Sequence, residues 1–502
     1  MIKKTIVLSI LLCFSLLAIA QNLSKSDVGS IKIRNSGPII QDDQVKGYYN
    51  FYNLEKKDRK NNNYLLNVLD ENLKEINSVT IVRPSSYMLI EGAFNGTAFG
   101  FLFYDTKEKA VELVSYDKTL KETGKVKKEL TNKYASIPYI WIQQGHEQQQ
   151  PFLLSVPNKG FLYYGIQNES KSEYEIEFYN NSMKRTWVSY APKDKYDFEN
   201  AGEAYQGEEY VGSLIVKRTA LFSLDMDFDL LVQNVADGKT LFRIPMETPK
   251  FKFSLTEVFY DKAKQQFILF GEYFTKDQNE IKSPSVGFAT VVLDMKGKII
   301  SEKESAWKTD IANMVAAKDK DKFDETSIMF HDFVRTDDGQ FFAIGEQYKK
   351  GGIPMVSPKL SIFNMVIFQF DADFNIKKVN VFEKDKKSIS LPSNMLIFSS
   401  KLLAYLVKAM NGFDYVFSQT APDKKTFITT YINYDKEKGQ KSKYVLGAIV
   451  YTPEKTFSVD KLPLATKSTL SYVYRAKQGY VLVVDYFEKD KRSESHLEKI
   501  NY

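Results

Sequence analysis

At 502 residues the chain is too long for a small domain and is compatible with one large all-β unit. Apolar residues make up 43% and charged residues 26%, globular values that exclude a disordered chain. The net charge of +6 drops by two without Lys3 and Lys4, and the remaining lysines are spread over strand faces. That excludes the concentrated basic patch of a nucleic-acid binder. What departs from average is the aromatic share, 14%, with 31 Tyr and 36 Phe against 3 His and 1 Cys. Tyr and Phe favour half-buried pleated surfaces, so the composition leans to β.

In chain order, residues 1–20 read as a signal peptide. Lys3 and Lys4 supply the positive end, Ile6 to Leu17 the apolar core and Ala18-Ile19-Ala20 the cleavage triplet. The apolar run is shorter than the roughly 20 residues of a membrane span, so cleavage leaves no span. Leu12 before Cys13 is a poor match to a lipoprotein box. Cleavage after Ala20 leaves a chain without cysteine, held by its core alone and located in the periplasm or secreted. Ile31-Lys32-Ile33-Arg34 then alternates as a short strand with no hairpin partner nearby.

About eight aromatic meanders follow. Phe99 to Tyr104, Val111 to Tyr116 and Leu120 to Leu130 form the clearest, with a tight turn at Asp117-Lys118-Thr119. Similar turns stand at Asp70-Glu71-Asn72, Asn180-Asn181-Ser182, Asp237-Gly238, Asp294-Met295-Lys296-Gly297, Asp371-Ala372-Asp373 and Thr452-Pro453-Glu454. A further short strand precedes most meanders, as at Tyr87 to Ile90, Phe330 to Val334 and Tyr472 to Tyr474. Four strands per unit is the count of a propeller blade. The expected fold over residues 21–502 is therefore a single all-β β-propeller of four-stranded antiparallel blades, eight in number, with seven the alternative. The last unit lacks a strand, and Ile31 to Arg34 is expected to supply it and close the ring.

The turns are too unevenly spaced for a WD40 or kelch array. The best internal match is Gln266-Phe267-Ile268-Leu269-Phe270-Gly271-Glu272-Tyr273 with Gln340-Phe341-Phe342-Ala343-Ile344-Gly345-Glu346-Gln347. Two helical insertions are expected, at about 306–325 and 393–411. The first rests on Ile311, Met314 and Val315. The second rests on Leu402, Leu403, Leu406 and Met410, with Pro392 before it and Gly412 as its stop. Helices packed on the rim, or a partner-binding helix, are the two readings.

Few residues carry chemistry. His146 precedes Glu147, His331 precedes Asp332, and His496 lies near the end, none with the partner spacing of a zinc site or triad. His331 is the best placed, because a blade's innermost strand lines the central channel. His331, Asp332, Glu272 and Glu346 are the candidate channel residues, the two glutamates at equivalent places in the repeat. Asp225, Asp227 and Asp229 alternate but lack the turn glycine and distal Glu of a calcium loop. Trp141, Trp187, Trp307 and the surplus Tyr are candidate sugar-stacking platforms, Trp141 foremost, against the alternative that aromatic strand residues simply pack. No residue is assigned as catalytic, and no metal or cofactor is called for.

The signal peptide, the Lys/Asn/Tyr/Phe-rich composition and the Phe-x-x-x-Gly-Glu motif at Phe267 and Phe341 together resemble exported β-propeller-like proteins of Bacteroidota, a family of unknown function. The resemblance implies a periplasmic or secreted propeller and carries over no catalytic residue. The expected function is a non-catalytic binding or scaffold protein of the cell envelope, using rim and channel to hold a protein or glycan. The alternatives are a carbohydrate-active hydrolase or lyase with channel-facing carboxylates, and a periplasmic sensor partner of a membrane receptor.

Overall fold

A strand that is apolar along its whole length has no face to give to water and must be covered on both sides. Phe99 to Tyr104 is such a run, and in the computed structural model every residue of it is buried. The structure describes residues 22–500 except 33–34, 42–43, 55–57, 145–150, 221–222, 224, 324–326, 354–356, 396–397, 436–442, 455–456 and 465–467. The signal-peptide reading, Cys13 and His146 therefore lie outside the described residues.

The chain divides into two compact units, Met1–Val82 with Lys467–Tyr502, and Arg83–Thr466. The first unit holds two sheets. Sheet I orders Val28–Ser30, Gln44–Leu54, Asn61–Asp70 and Glu75–Pro84, with Ser36–Gln41 also paired to Gln44–Leu54. Sheet VIII orders Asn22–Lys25, Arg492–Lys499, Tyr480–Phe487 and Leu470–Arg475. The strand paired to the C-terminal one is thus Asn22–Lys25, in register Asn22 with His496 to Lys25 with Ser493. Of the expected Ile31 to Arg34 strand, Ile31 and Lys32 are irregular, Asn35 N–H donating to the Lys32 carbonyl, and Ile33 and Arg34 lie outside the described residues; the closing role expected of it falls to Asn22–Lys25. An outer strand needs backbone pairing more than apolar side chains, so the polar Asn-Leu-Ser-Lys segment serves.

The second unit holds sheets II to VII, each built on four antiparallel strands in consecutive order, with Lys387–Ser390 as a fifth strand of sheet VI paired to Ser357–Phe370. Sheet II runs from Tyr87–Phe94 to Glu122–Glu129, sheet III from Leu153–Val156 to Arg185–Tyr190, and sheet IV from Phe198–Gln206 to Thr240–Pro245. Sheet V runs from Lys252–Asp261 to Ile299–Ala306, sheet VI from Ile328–Arg335 to Ile376–Phe382, and sheet VII from Tyr415–Thr420 to Phe457–Pro463. Sheets III and IV are continuous through a two-residue parallel contact of Ser172 and Glu173 with Phe198 and Glu199.

The cores lie between consecutive sheets, which accounts for the two-sided apolar strands. Phe161 and Tyr163 pack toward sheet II, whereas Leu162 and Tyr164 pack toward sheet IV. Phe267 and Leu269 likewise face sheet IV, and Ile268 and Phe270 face sheet VI. Within the first unit, Tyr48, Tyr52 and Leu69 of sheet I meet Tyr474, Leu482 and Val484 of sheet VIII. Outermost strands face water on one side, so Glu122–Glu129 alternates between exposed and half-buried residues.

Third and fourth strands are joined by one recurring turn. Asp70, Asp117, Asn180, Asp294 and Asp371 each accept two backbone N–H bonds through Oδ1, from the residues two and four further on. The residue three further on is left-handed: Leu73, Leu120, Met183, Gly297 or Phe374. Leu73, Leu120 and Met183 bury their side chains in the core from this position. Core burial thus holds non-glycine residues in a conformation they rarely adopt.

Helix α1, Lys133–Gln143, was not expected from the sequence. Asn132 caps it, its Oδ1 accepting from Tyr134 N–H at 2.9 Å, and Tyr139 and Ile142 bury against sheets II and III. Its β-branched and aromatic residues and Pro138 hide it from propensity. In the expected insertion at about 306–325 the described residues form three short helical pieces, Trp307–Ile311, Ala312–Met314 and Ala317–Lys322, with Ile311 and Val315 buried and Met314 exposed. Helix α2 spans Ser400–Ala409. Ser399, rather than Pro392, opens it by accepting from Leu402 N–H at 3.1 Å, and left-handed Asn411, rather than Gly412, ends it.

Candidate functional site

The first strands of sheets II, IV, V, VI and VII each carry a bulge at the same depth. The register slips between Leu89 and Glu91, Glu203 and Tyr205, Leu255 and Glu257, Phe330 and Asp332, and Tyr415 and Phe417. A bulge re-aims the inserted side chain and brings the strand closer to its partner. In sheets V and VI the residue opposite is the motif glycine, Gly271 facing Leu255 and Gly345 facing Phe330. A Cβ on Gly271 would lie 2.1 Å from the Ser254 carbonyl oxygen, and one on Gly345 2.9 Å from that of Met329. The Phe-x-x-x-Gly-Glu motif is therefore the imprint of a bulged partner strand.

His331 is the inserted residue of sheet VI, and its side chain is only 3% exposed. Its Nε2 lies 3.3 Å from Glu346 Oε1, and its ring stacks on Tyr415 with centroids 5.0 Å apart and flanks Phe413. Burial lowers the His331 pKa, against the pull of Glu346. Glu346 is fully buried. Its Oε1 accepts from the N–H groups of Asp414 (3.0 Å) and Tyr415 (2.6 Å), fastening sheet VI to the first strand of sheet VII. Burial would raise its pKa, but Lys384, 3.0 Å from Oε2, together with His331 and these N–H donors holds it below the usual range. Lys384 also pairs with Asp414 at 2.6 Å, as does Lys387 at 3.0 Å.

Helix α2 brings two more lysines, one from each end. Lys401 reaches Glu272 at 2.8 Å and lies over the Phe274 ring, while Glu272 accepts from Ser285, itself bonded by the Trp307 indole. Lys408 donates to the Phe330 carbonyl at 2.7 Å beside Asp332 and Glu257. Burial brings Lys408 down to about 8, against those two carboxylates. Glu257 is pushed up to about 8 by burial and by Asp332. Asp332 Oδ2 accepts from the Tyr415 hydroxyl at 2.6 Å.

The structure thus gathers His331, Asp332 and Glu346 with Glu257, Asp414, Lys384 and Lys408, and places Glu272 in a separate pair at the other end of α2. Glu257 and the lysines were missed, because a lone Glu or Lys carries no spacing signal; the bulge shared with Asp332 is the one clue. Trp141 is 54% exposed on α1. Trp187 and Trp307 are buried, their indoles donating to Val235 O and Ser285 Oγ, as the packing alternative expects. Asp225, Asp227 and Asp229 meet Lys282, Tyr196 and the pair Lys217 and Arg243 respectively. No metal-holding cluster of His, Cys, Asp and Glu occurs among the described residues, and no described helix is long and apolar enough to cross a membrane.

No curated protein matches the chain. Among solved structures it is similar to a europium-containing methanol dehydrogenase, at 11% identity over 96% of this chain and 93% of that one, TM-score 0.47. It is also similar to the Pan2 WD40 domain of Neurospora crassa, at 10% identity over 82% and 90%, TM-score 0.33. A duf4221 member from Bacteroides vulgatus aligns at 10% identity over 70% and 93%, TM-score 0.29. Likenesses this weak do not bear on the chemistry of this chain. The match that assigns it is to a family model spanning residues 1–501: the chain belongs to the family of unknown function DUF6770.

Proposed function

We propose that the protein is an exported, non-catalytic binding or scaffold module of the cell envelope. The observation that carries this is the fate of the candidate carboxylates. Glu346 and Glu272 are each spent on a buried lysine of the same chain, and Asp332 is spent on Tyr415 beside Lys408. A glycosidase needs two carboxyl groups facing one another across an open cleft. Here the acids fasten α2 and sheet VII to sheets V and VI. The same reading takes the four-stranded sets as eight blades of one propeller, with Asn22–Lys25 as the strand that joins the chain's two ends. Its support is the stacking of consecutive sheets within each unit and the pairing of Asn22–Lys25 with Arg492–Lys499.

The test is incubation of the purified protein with envelope polysaccharides, beside affinity capture from native envelope and a glycan array. Saturable capture without turnover supports the module. Turnover that disappears in Glu272→Gln or Glu346→Gln, in protein that remains folded, would establish the hydrolase or lyase instead. Co-purification with one membrane receptor would make it the sensor partner.

A further inference from the structure

An outermost strand offers a row of N–H and C=O groups to any further strand, and proteins blunt such edges by shortening, charging or covering them. Seven of the eight sheets follow that rule in their outermost strand. Asn22–Lys25 has four residues, and Arg185–Tyr190 and Thr240–Pro245 have six each. Glu122–Glu129 carries Lys125, Lys127 and Lys128, Ile299–Ala306 carries Glu302, Lys303 and Glu304, and Phe457–Pro463 carries Asp460 and Lys461. Ile376–Phe382 is met by a parallel bridge from Val315 to Val379. Glu75–Pro84 of sheet I departs from it. At ten residues it is the longest of the set, and its only charges, Glu75 and Arg83, stand near its two ends. Between them Ile76, Ser78, Thr80 and Val82 are exposed, and Ile76, at 64%, is the most exposed large apolar side chain among the described residues. No described strand lies beyond it in the sheet, and the Ser78 N–H is met by the side chain of its own neighbour, Asn77, at 2.9 Å. Val79 to Val82 are all β-branched, which holds the backbone extended as a template.

The order of residues names the occupant. Laid antiparallel on a second copy, about a two-fold axis at Val79, the strand sets Ser78 against Thr80 and Ile76 against Val82, both pairs on the exposed face. It also sets Glu75 against Arg83. Hydroxyl meets hydroxyl, apolar meets apolar, and no like charges stand opposed. The unlike pair, Asn77 with Ile81, falls on the side where Ile81 is buried within its own chain. Glu122–Glu129 lacks this symmetry, since laid on itself it sets Glu122 against Glu129.

We propose that Glu75–Pro84 is a homodimer interface, where two copies of the chain join by antiparallel pairing of this strand centred on Val79. The interface is independent of what the protein binds. Its test is sedimentation velocity of the full mature chain from about 1 to about 500 µM, a range that brackets weak self-association. A seam of two strands lies at the small end of specific interfaces, so a reversible dimer with a Kd of about 10–100 µM is expected. Ser78→Lys/Thr80→Lys changes only exposed side chains and gathers four lysines around the axis. It is expected to keep the wild-type melting temperature and weaken the dimer at least about thirtyfold. Ser78→Glu/Thr80→Glu is expected to do the same, and it reads the same outcome should the lysine variant not fold. An equimolar mixture of the two variants is expected to dimerise at least as tightly as wild type, because each lysine then faces a glutamate. A chain that stays monomeric at about 500 µM, or a dimer that survives either charged pair, would overturn the interface. A mixture that stays monomeric would overturn the register on Val79.

Discussion

Sheets V and VI are the best-matched pair in the chain, and they put the same parts to different use. Both have a bulged first strand, a glycine opposite the bulge and a glutamate after it. Glu346 is fully buried, binds two N–H groups of the next sheet and faces a buried lysine from its own sheet's exit segment. Glu272 is 13% exposed, meets a hydroxyl and answers to a helix contributed from over 120 residues later. After the bulge stand Glu257 in one sheet and Asp332 in the other, of which the first is pushed up to about 8 by burial and the second is bonded to Tyr415. The repeat therefore specifies backbone geometry, and each copy's neighbours decide what its carboxylate does.

The comparison breaks most visibly at the glutamates. Glu346→Ala leaves Lys384 with Asp414 alone and takes the acceptor from the buried Asp414 and Tyr415 N–H groups, and is expected to cost about 3–5 kcal/mol in denaturant unfolding. Glu272→Ala is expected to cost clearly less, because its lysine retains the Phe274 and Tyr405 rings. Equal losses would mean the two acids are interchangeable and the comparison empty.

Next in size is a pH effect confined to sheet V. Glu257 has a folded pKa near 8 against 4.5 unfolded, so the folded state binds the extra proton between these values. Stability then falls as pH rises from about 4.5 to about 8, at up to roughly 1.4 kcal/mol per pH unit. The wild-type minus Glu257→Gln difference should carry that slope between pH 5 and 8, and a flat difference would show Glu257 ionised throughout.

The glycines sharpen the pair further. Gly271→Ala meets backbone at 2.1 Å and Gly345→Ala at 2.9 Å, so the first is expected to cost about 2–3 kcal/mol and the second about 1. Melting temperatures of both variants decide it, and a reversed order would place the closer strand approach in sheet VI. Smallest is the turn: Asp371→Ala loses two backbone N–H bonds and those of the Asn375 side chain, about 1 kcal/mol. Asp294→Ala, lacking the side-chain bonds, should cost less by the same measurement.

Much of this was readable along the chain. Strands apolar on every residue point to sheets covered on both sides, and at five of the turns read from the sequence, those of Asp70, Asp117, Asn180, Asp294 and Asp371, the Asp or Asn is the acceptor that builds the turn. His331, Asp332 and Glu346 were singled out from position alone and do meet, whereas Glu272 does not join them. Glu257, Lys384, Lys401 and Lys408 left no trace, because their partners are distant in sequence and an ion pair has no period. Helix α1 was hidden for a related reason: its buried face is made by sheets II and III, against its own propensity.

By itself the sequence determined the period, the turns and the two-sided burial, since alternation and an Asx side chain act over two to four residues. Only the tertiary structure decided that Asn22–Lys25 pairs with the C-terminal strand and that Glu346 and Glu272 are matched to lysines. Those depend on which desolvated groups come within about 3 Å of one another, and proximity between residues far apart in the chain is settled by packing.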